Sequence, residues 1–526
     1  MAPRVLIADE LSPQAVAVFK ERGVDADVKT ALSKDELLAI IPQYDGLAVR
    51  SATKATDKVI AAASRLKVIG RAGIGVDNID IRAATAKGVI VMNTPFGNSI
   101  TTAEHAITLM LSLARQIPAA DRSTHAGKWE KSRFLGVEIT GKTLGIIGCG
   151  NIGSIVAERG VGLKMRVIAY DPFLTAERAQ NLGVEKVELD ELFKRSDFIT
   201  LHTPLIEKTR NIIDARAMAK MKKGVRIINC ARGGLLDEVA LKAALDSGYV
   251  AGAGLDVFAE EPAKAHPLFG YENVVCTPHL GASTVEAQEN VAVQVAEQMS
   301  DYLTTGAITN ALNFPSISAD EAPRLRPFVK LAEQLGSFCG QITNAGLQEI
   351  GIEYMGQVAS MNTRALTSAA LAGVLAHVLE GANMVSAPVI AKDRGIIINE
   401  STRGQTGAFG SYMRVKVRID GGERSVAGTV FSDGRPRLIQ IDGINLEAEL
   451  GPRMLLTQNS DKPGYIGALG SIMGAAGVNI ASFSLGRNRP GGEAIALWEI
   501  DEPISDTVLA QIKALPQVVR VARLVF

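Results

Sequence analysis

Arg232, Glu261 and His279 are three side chains whose types could carry out one reaction together, and each follows closely on a short aliphatic run. A forked guanidinium such as Arg232 can hold a carboxylate through two parallel hydrogen bonds. His279 is one of six histidines in the chain, and an imidazole takes and returns protons near neutral pH. A carboxylate such as Glu261, receiving the other ring N–H, would fix the tautomer and stabilise the imidazolium. Together they could take the hydroxyl proton from a hydroxy acid, provided a hydride acceptor lies alongside. Taken singly, they read as a surface arginine, a helix-start glutamate and a strand-end histidine. Jointly those bland readings fit poorly.

The segment 142–172 supplies the hydride acceptor's cradle. An aliphatic run, Thr143–Ile147, has the length of a buried strand, and Gly148, Gly150 and Gly153 follow it directly. Ile152, Ile155 and Val156 then recur at helical spacing, and a second strand, 165–170, ends on Asp171. One glycine would make the tight turn, one would let the backbone approach a pyrophosphate, and one would let helix and strand pack closely. The phosphates would rest on the free N–H groups of the helix N-terminus. Asp171 would accept the adenosine ribose hydroxyls and repel a 2′-phosphate, which favours NAD over NADP. The glycine spacing alone is weak in a chain with 51 glycines; the strand before, the helix after and the acid beyond carry the reading.

The elements that must position these groups follow from the rest of the pattern. Residues 3–95 alternate short aliphatic strands with amphipathic helices, which implies a parallel sheet with helical crossovers. Several strands end in polar or glycine-rich turns, as in VRSATK (49–54) and GRAGIGVDN (70–78), where Arg50 and Arg71 stand. Ligands bind at such carboxyl ends. A mostly apolar helix over 101–117, capped by Ser99 or Thr101, contains His105, which reads as a core or interface histidine. After Asp171 the strands 198–202, 226–229, 253–257 and Val274–Cys276 end in polar residues that a buried strand does not need. These are Thr203, then Cys230, Ala231 and Arg232, then Asp256, then Thr277 and His279.

The bulk numbers narrow the class. At 526 residues and 47% hydrophobic content the chain is globular, with about three or four domains. Lys plus Arg equals Asp plus Glu at 56 each, with no long run of either sign, so neither nucleic acid nor an anionic membrane is expected as a partner. Cys149, Cys230, Cys276 and Cys339 are widely spaced and read as reduced thiols, with no metal site indicated. The opening residues acquire acids by Asp9 and form no signal peptide, and no apolar stretch reaches a membrane span, so a cytoplasmic protein is expected.

The segments ARGGLLDE (231–238), GLDVFAEEP (254–262) and TPHLGAST (277–284), with GCGNIG and RAGIGVDN, resemble the signature set of the D-isomer-specific 2-hydroxyacid dehydrogenases. VRSATK, TPFGNS (94–99) and the long C-terminal extension are similar to the branch that oxidises 3-phospho-D-glycerate to 3-phosphohydroxypyruvate, opening L-serine biosynthesis. The resemblance implies an α/β protein with a Rossmann-type nucleotide domain (97–284) inserted in a flavodoxin-like substrate domain (1–96 and 285–313). An α+β intervening domain (315–450) and a ferredoxin-like ACT domain (452–526) would follow. It gives Arg232 the substrate carboxylate, Glu261 orientation and His279 proton transfer. NAD would be held by Gly148, Gly150, Asn151, Ile152, Gly153, Asp171, Thr203, Cys230, Ala231, Arg232, Asp256, His279, Gly281 and Ala282. Arg50, Ser51, Arg71 and Asn98 would contact 3-phosphoglycerate, with Lys131 or Arg133 reaching a neighbouring subunit's site in a homotetramer or homodimer. Ile74 stands where some relatives have threonine. An unphosphorylated hydroxy acid, or an NAD-sensing corepressor-like role, remains an alternative.

Beyond residue 313, prolines at 315, 323 and 327 read as a linker running into a helix over 328–343. From Met454 the pattern is strand, DKPG turn, helix, strand, strand, helix, strand, which resembles the ACT regulatory module. There Asp461 and Asn479 are expected close together at one end of the first strand. The plain reading is a turn stabilised by its own side chains; the sharper one is an effector site for L-serine, in which Asp461 pairs with the α-amino group and Asn479 bonds the carboxylate or backbone across a subunit interface. Asn459 stands where relatives known for serine feedback carry Tyr or His.

Overall fold

Runs of four or five aliphatic residues bounded by glycine or polar turns are buried on both faces and pair in parallel, because helical crossovers cover both sides of such sheets. The computed structural model, which describes residues 2–343, 346–379, 382–404, 409–420 and 422–526, builds two parallel sheets with such runs at their centres and shorter or more exposed strands at their edges. The first contains β1 (Arg4–Ile7), β2 (Asp25–Val28), β3 (Gly46–Val49), β4 (Val68–Arg71) and β5 (Ile90–Asn93), in the order β2-β1-β3-β4-β5. The second contains β6 (Thr143–Ile147), β7 (Arg166–Tyr170), β8 (Glu185–Lys186), β9 (Phe198–Leu201), β10 (Val225–Asn229), β11 (Val250–Leu255) and β12 (Val274–Cys276). Its order, β12-β11-β10-β9-β6-β7-β8, reverses between β6 and β9, and a doubly wound sheet binds its ligand at such a reversal.

The helix Val285–Thr305 follows β12 but packs on the first sheet. Gly46 and Gly70, inside β3 and β4, make room for it: a Cβ on Gly46 would stand 2.9 Å from Met299 Cε, and one on Gly70 would overlap Met299 Sδ. The long helix runs Ser99–Arg115 and buries Ala106, Leu109 and Leu113 against the second sheet. The expected Ser99 or Thr101 cap is corrected. Asn98 holds the cap position without a side-chain bond, and the Ser99 hydroxyl donates instead to the Pro95 carbonyl at 3.0 Å.

A third, mixed sheet joins β13 (Glu349–Gly356), β14 (Ile397–Arg403), β15 (Ser411–Ile419), β16 (Gly422–Val430), β17 (Pro436–Ile441) and β18 (Ile444–Ala448) in the order β14-β13-β15-β16-β17-β18. The helix over it starts at Ala322, six residues before the expected 328. Pro323 sits in the first turn, where a missing N–H costs nothing, and Pro327 lies inside the helix, which continues past it to Gln341 without that one N–H bond.

The last sheet is antiparallel, with β19 (Arg453–Ser460), β20 (Ile480–Arg487), β21 (Glu493–Ile500) and β22 (Val518–Val525) in the order β20-β21-β19-β22. Here the expected closeness of Asp461 and Asn479 does not hold within one chain. The Asp461 amide donates to the Gly492 carbonyl at the start of β21, while Asn479 Nδ2 donates to Asp501 Oδ2, 2.6 Å away, beyond the end of β21. The helix Tyr465–Ala475 carries the chain back along the sheet, which puts the length of β19, roughly 25 Å, between the two residues. Among the described residues, no helix is long and apolar enough to cross a membrane and no group of three or more His, Cys, Asp or Glu could hold a metal.

Candidate active site

The three glycines after β6 differ in their surroundings as their expected tasks require. Gly148 has φ +91°, a conformation that favours glycine, and a Cβ there would stand 2.5 Å from the His202 carbonyl oxygen. A Cβ on Gly153 would overlap the Gly148 carbonyl oxygen, so helix and turn touch through bare backbone. Gly150 has nothing within 4 Å and caps the helix Asn151–Gly162 without a side-chain bond. The helix therefore presents open amides beside an open approach, and the Thr203 hydroxyl next to this turn is buried without a partner. These features fit a dinucleotide pyrophosphate. Asp171, at the end of β7, braces the turn: Oδ2 accepts the Cys149 amide at 2.8 Å and Oδ1 the Phe173 amide at 2.7 Å. Asn151 donates to the Pro95 carbonyl at 3.4 Å, and Ile152 packs on the nucleotide-sheet core.

A cleft of about 680 Å³ opens between the ends of the two parallel sheets. Arg50, Ser51, Arg71 and Asn98 line one wall; Asp256, Glu261, His279 and Ala282 line the other. His279 is held with φ +56°, and its Nδ1 meets Glu261 Oε2 at 2.7 Å. That hydrogen bond is the main reason the imidazole's pKa lies above its ordinary value. Burial alone would raise the Glu261 carboxyl, but bonds from His279 and from the Phe258 amide (3.0 Å) outweigh it and hold the group ionised.

Asp256 turns out to be the brace of the His279 turn. It is fully buried; Oδ1 accepts the Thr277 hydroxyl at 2.6 Å and the Leu280 amide at 2.7 Å, and Oδ2 accepts the Gly281 amide at 2.8 Å. His105 Nε2 lies 3.2 Å from Asp256 Oδ1 and 3.0 Å from the Thr277 hydroxyl, so the packed histidine supports the site from behind. Burial would raise the Asp256 carboxyl, and these bonds together lower it instead.

The arginines are the other half of the cleft's chemistry. Arg71 is pushed down to about 10 by burial and by its neighbours Arg232 and Arg50, and its Nε is buried with no partner. The Asn98 Oδ1 is likewise buried and unpartnered. Arg232 is held through Nε to Asp77 Oδ2 (3.1 Å) and through Nη1 to the Ala231 carbonyl (2.7 Å), which leaves Nη2 free of any such bond. Three guanidiniums thus lie close together, with the carboxylates of Asp77 and Asp9 at their edge, an arrangement suited to a multiply charged anion. Cys230 and Ala231 follow β10, the Ala231 amide donating to Asn229 Oδ1. Lys131 and Arg133 do not line the cleft; Arg133 pairs with Glu130 and with Glu272, just before β12.

Asp9 and Asp77 were missed. Asp9 Oδ2 accepts the Arg50 amide at 2.6 Å and Oδ1 the Thr53 hydroxyl at 2.6 Å, shaping the Arg50 turn. An acid directly after a buried strand was the available signal. The effector candidates are already engaged: Asp461 Oδ2 accepts from Arg487 (2.8 Å) and the Gly491 amide (3.0 Å), and Asn459 is buried with its Oδ1 unpartnered.

Comparison with known proteins agrees with this geometry. Residues 107–281 match the family described as D-isomer specific 2-hydroxyacid dehydrogenase, NAD binding domain. Residues 324–442 match the D-3-phosphoglycerate dehydrogenase intervening domain. D-3-phosphoglycerate dehydrogenase of Synechocystis sp. is 43% identical over 97% of this chain and 92% of its own length. Its namesake from Methanocaldococcus jannaschii is 42% identical over 99% of each. The chain belongs to the D-3-phosphoglycerate dehydrogenase family. Among solved structures, D-2-hydroxyisocaproate dehydrogenase (29% identical, TM-score 0.53) covers 59% of this chain and 99% of its own. D-lactate dehydrogenase from Aquifex aeolicus, complexed with NAD and lactic acid, is 27% identical with a TM-score of 0.53 over 60% of this chain and all of its own.

Proposed function

We propose that this chain oxidises 3-phospho-D-glycerate to 3-phosphohydroxypyruvate with NAD, the first step of L-serine biosynthesis, in the cytoplasm. The observation that carries the substrate is Arg71, whose Nε is buried with no partner, beside Arg50 and Arg232 and facing the Glu261–His279 pair across one cleft. Arg232 holds the substrate carboxylate, while Arg50 and Arg71, with Ser51 and Asn98 beside them, hold the phosphate. His279 Nε2 takes the C2 hydroxyl proton, and Glu261, bonded to Nδ1, stabilises the imidazolium that forms. NAD, when bound on the glycine turn with its phosphates at the helix Asn151–Gly162 and its ribose at Asp171, supplies the acceptor for the C2 hydride. Asp256 fixes the turn that carries His279, Gly281 and Ala282, and Thr203, Cys230 and Ala231 line the cofactor's side.

The domain division that goes with this reading is 1–96 with 285–313 for substrate, 97–284 for NAD, 315–450 intervening and 452–526 as an ACT-type regulatory unit. Trp129 and Leu135, in the segment 126–142 before β6, are 88% and 86% exposed, which supports a homo-oligomer built over that segment. An L-serine site using Asp461, Asn479 and Asn459 needs two copies, since one chain holds the first two at opposite ends of a sheet.

NADH formation over a panel of phosphorylated and plain hydroxy acids tests the substrate. Arg50→Ala is expected to raise KM for phosphoglycerate about tenfold or more, because a charge-assisted bond contributes about 1.5–3 kcal/mol, and to change KM for D-lactate far less. Equal effects on both would favour an unphosphorylated substrate.

A further inference from the structure

One carboxylate in the segment that carries Arg232 has no part in the reaction described above. Glu238 begins the helix Glu238–Asp246, and both its oxygens are engaged away from that helix. Oε1 accepts the Ala259 amide at 2.8 Å, and Oε2 meets His266 Nε2 at 2.9 Å. Because His266 Nδ1 accepts the Leu268 amide at 3.3 Å, the ring proton sits on Nε2 and His266 donates to Glu238. The same ring packs against Phe258 and Phe269, with centroids 5.1 and 5.4 Å away. The loop held in this way, between β11 and β12, has no regular structure of its own and carries Glu261.

Consecutive amides of this loop are thus gripped by two carboxylates, Phe258 by Glu261 and Ala259 by Glu238. Gly233, next to Arg232, touches the same loop so closely that a Cβ there would overlap the Phe258 carbonyl oxygen. A favourable charge at a helix N-terminus would account for an acid at position 238. It does not account for two bonds to the far side of the cleft wall.

We propose that Glu238 and His266 are positioning residues that tie the loop carrying Glu261 to the segment carrying Arg232, holding the carboxylate-binding guanidinium and the Glu261–His279 pair at one spacing. The inference rests on the proposed function and deepens it. Glu238→Gln keeps the side chain's size but sets an amide NH₂ against one of two N–H donors. It is expected to lower kcat about ten- to a hundredfold, the scale of a misplacement near 1 Å, with KM for NAD unchanged. The acidic limb of the kcat/KM profile should move to lower pH as the Glu261–His279 contact loosens. Amide exchange over 257–262 should accelerate, while that over 143–162 stays as in the wild type. His266→Phe keeps the ring stack, removes the donor and should move the limb in the same direction.

An unmoved limb in both variants, with a Glu261→Gln control that does move it, overturns the proposal. A control that leaves the limb in place overturns the role given to Glu261, and this proposal with it. If the wild type forms no NADH from 3-phosphoglycerate, the substrate is wrong, and loop exchange in Glu238→Gln decides the tie by itself: unchanged exchange overturns it.

Discussion

His279 can accept a proton only while its ring is neutral, and Glu261 raises the pH at which that condition is met. Oxidation of substrate therefore falls as pH drops through the raised imidazole value, whereas the reverse reduction, which needs the imidazolium as donor, is supported below it. Glu261→Gln removes the main cause of the shift, so the acidic limb for oxidation should move to lower pH and kcat should fall. His279→Gln should lower kcat by about 10²–10⁴-fold with NAD affinity retained. Initial rates across the neutral and alkaline range, with NAD titrated by fluorescence quenching, check both. Near-normal turnover in His279→Gln would remove it from the mechanism. His279, Glu261 and Arg232 were legible in the sequence because proton transfer and carboxylate binding admit few residue types. The role of Asp256 as a brace was not, because its partner His105 lies 151 positions away.

At the level of elements, the β6 turn separates binding from packing. Gly153→Ala would drive a methyl into the Gly148 carbonyl, at a cost of about 1–3 kcal/mol for overpacking, and should lower the melting temperature. Gly150→Ala meets no atom within 4 Å and should leave melting nearly unchanged while weakening NAD, whose pyrophosphate would share that space. Calorimetry and NAD titration of the two variants check the division; equal losses of stability would refute it. Asp171→Ser should narrow the preference for NAD over NADP. A neighbouring strand end adds a pH effect. Burial pushes His202 down to about 3, from an ordinary value of 6.5. The unfolded chain binds this proton at a higher pH than the folded one, so stability is lost as pH falls below about 6.5 and continues to fall towards about 3. His202→Gln should flatten that slope in melting temperature against pH; an unaltered slope would assign it to other groups.

For the whole molecule, the proposed L-serine site requires two copies of the chain, because Asp461 and Asn479 stand at opposite ends of one sheet. L-Serine titrated against initial rate should inhibit the oligomer through a coupling of about 1–3 kcal/mol. Asp461→Ala should remove inhibition while kcat is kept. Light scattering of a Trp129→Ser, Leu135→Ser double variant should report a smaller species than the wild type, and that species should lose the serine response. Inhibition that persists in the smaller species would place the effector within one chain and overturn the two-copy reading.

The sequence by itself determined the parallel α/β character and the glycine turn with its acid, and it singled out Arg232, Glu261 and His279 as the candidate reacting side chains. Each depends on local spacing: period and length for strands and helices, positive φ for Gly148, residue chemistry for Arg232, Glu261 and His279. Tertiary structure alone decided that the Arg71 Nε is buried without a partner, that Asp9 and Asp77 shape the arginine wall, and that Asp461 and Asn479 stand at opposite ends of a sheet. Those facts depend on which distant segments meet. Hydrophobic periodicity reports the apolar face of an element, but it carries no information on which polar group from another element will lie against its end.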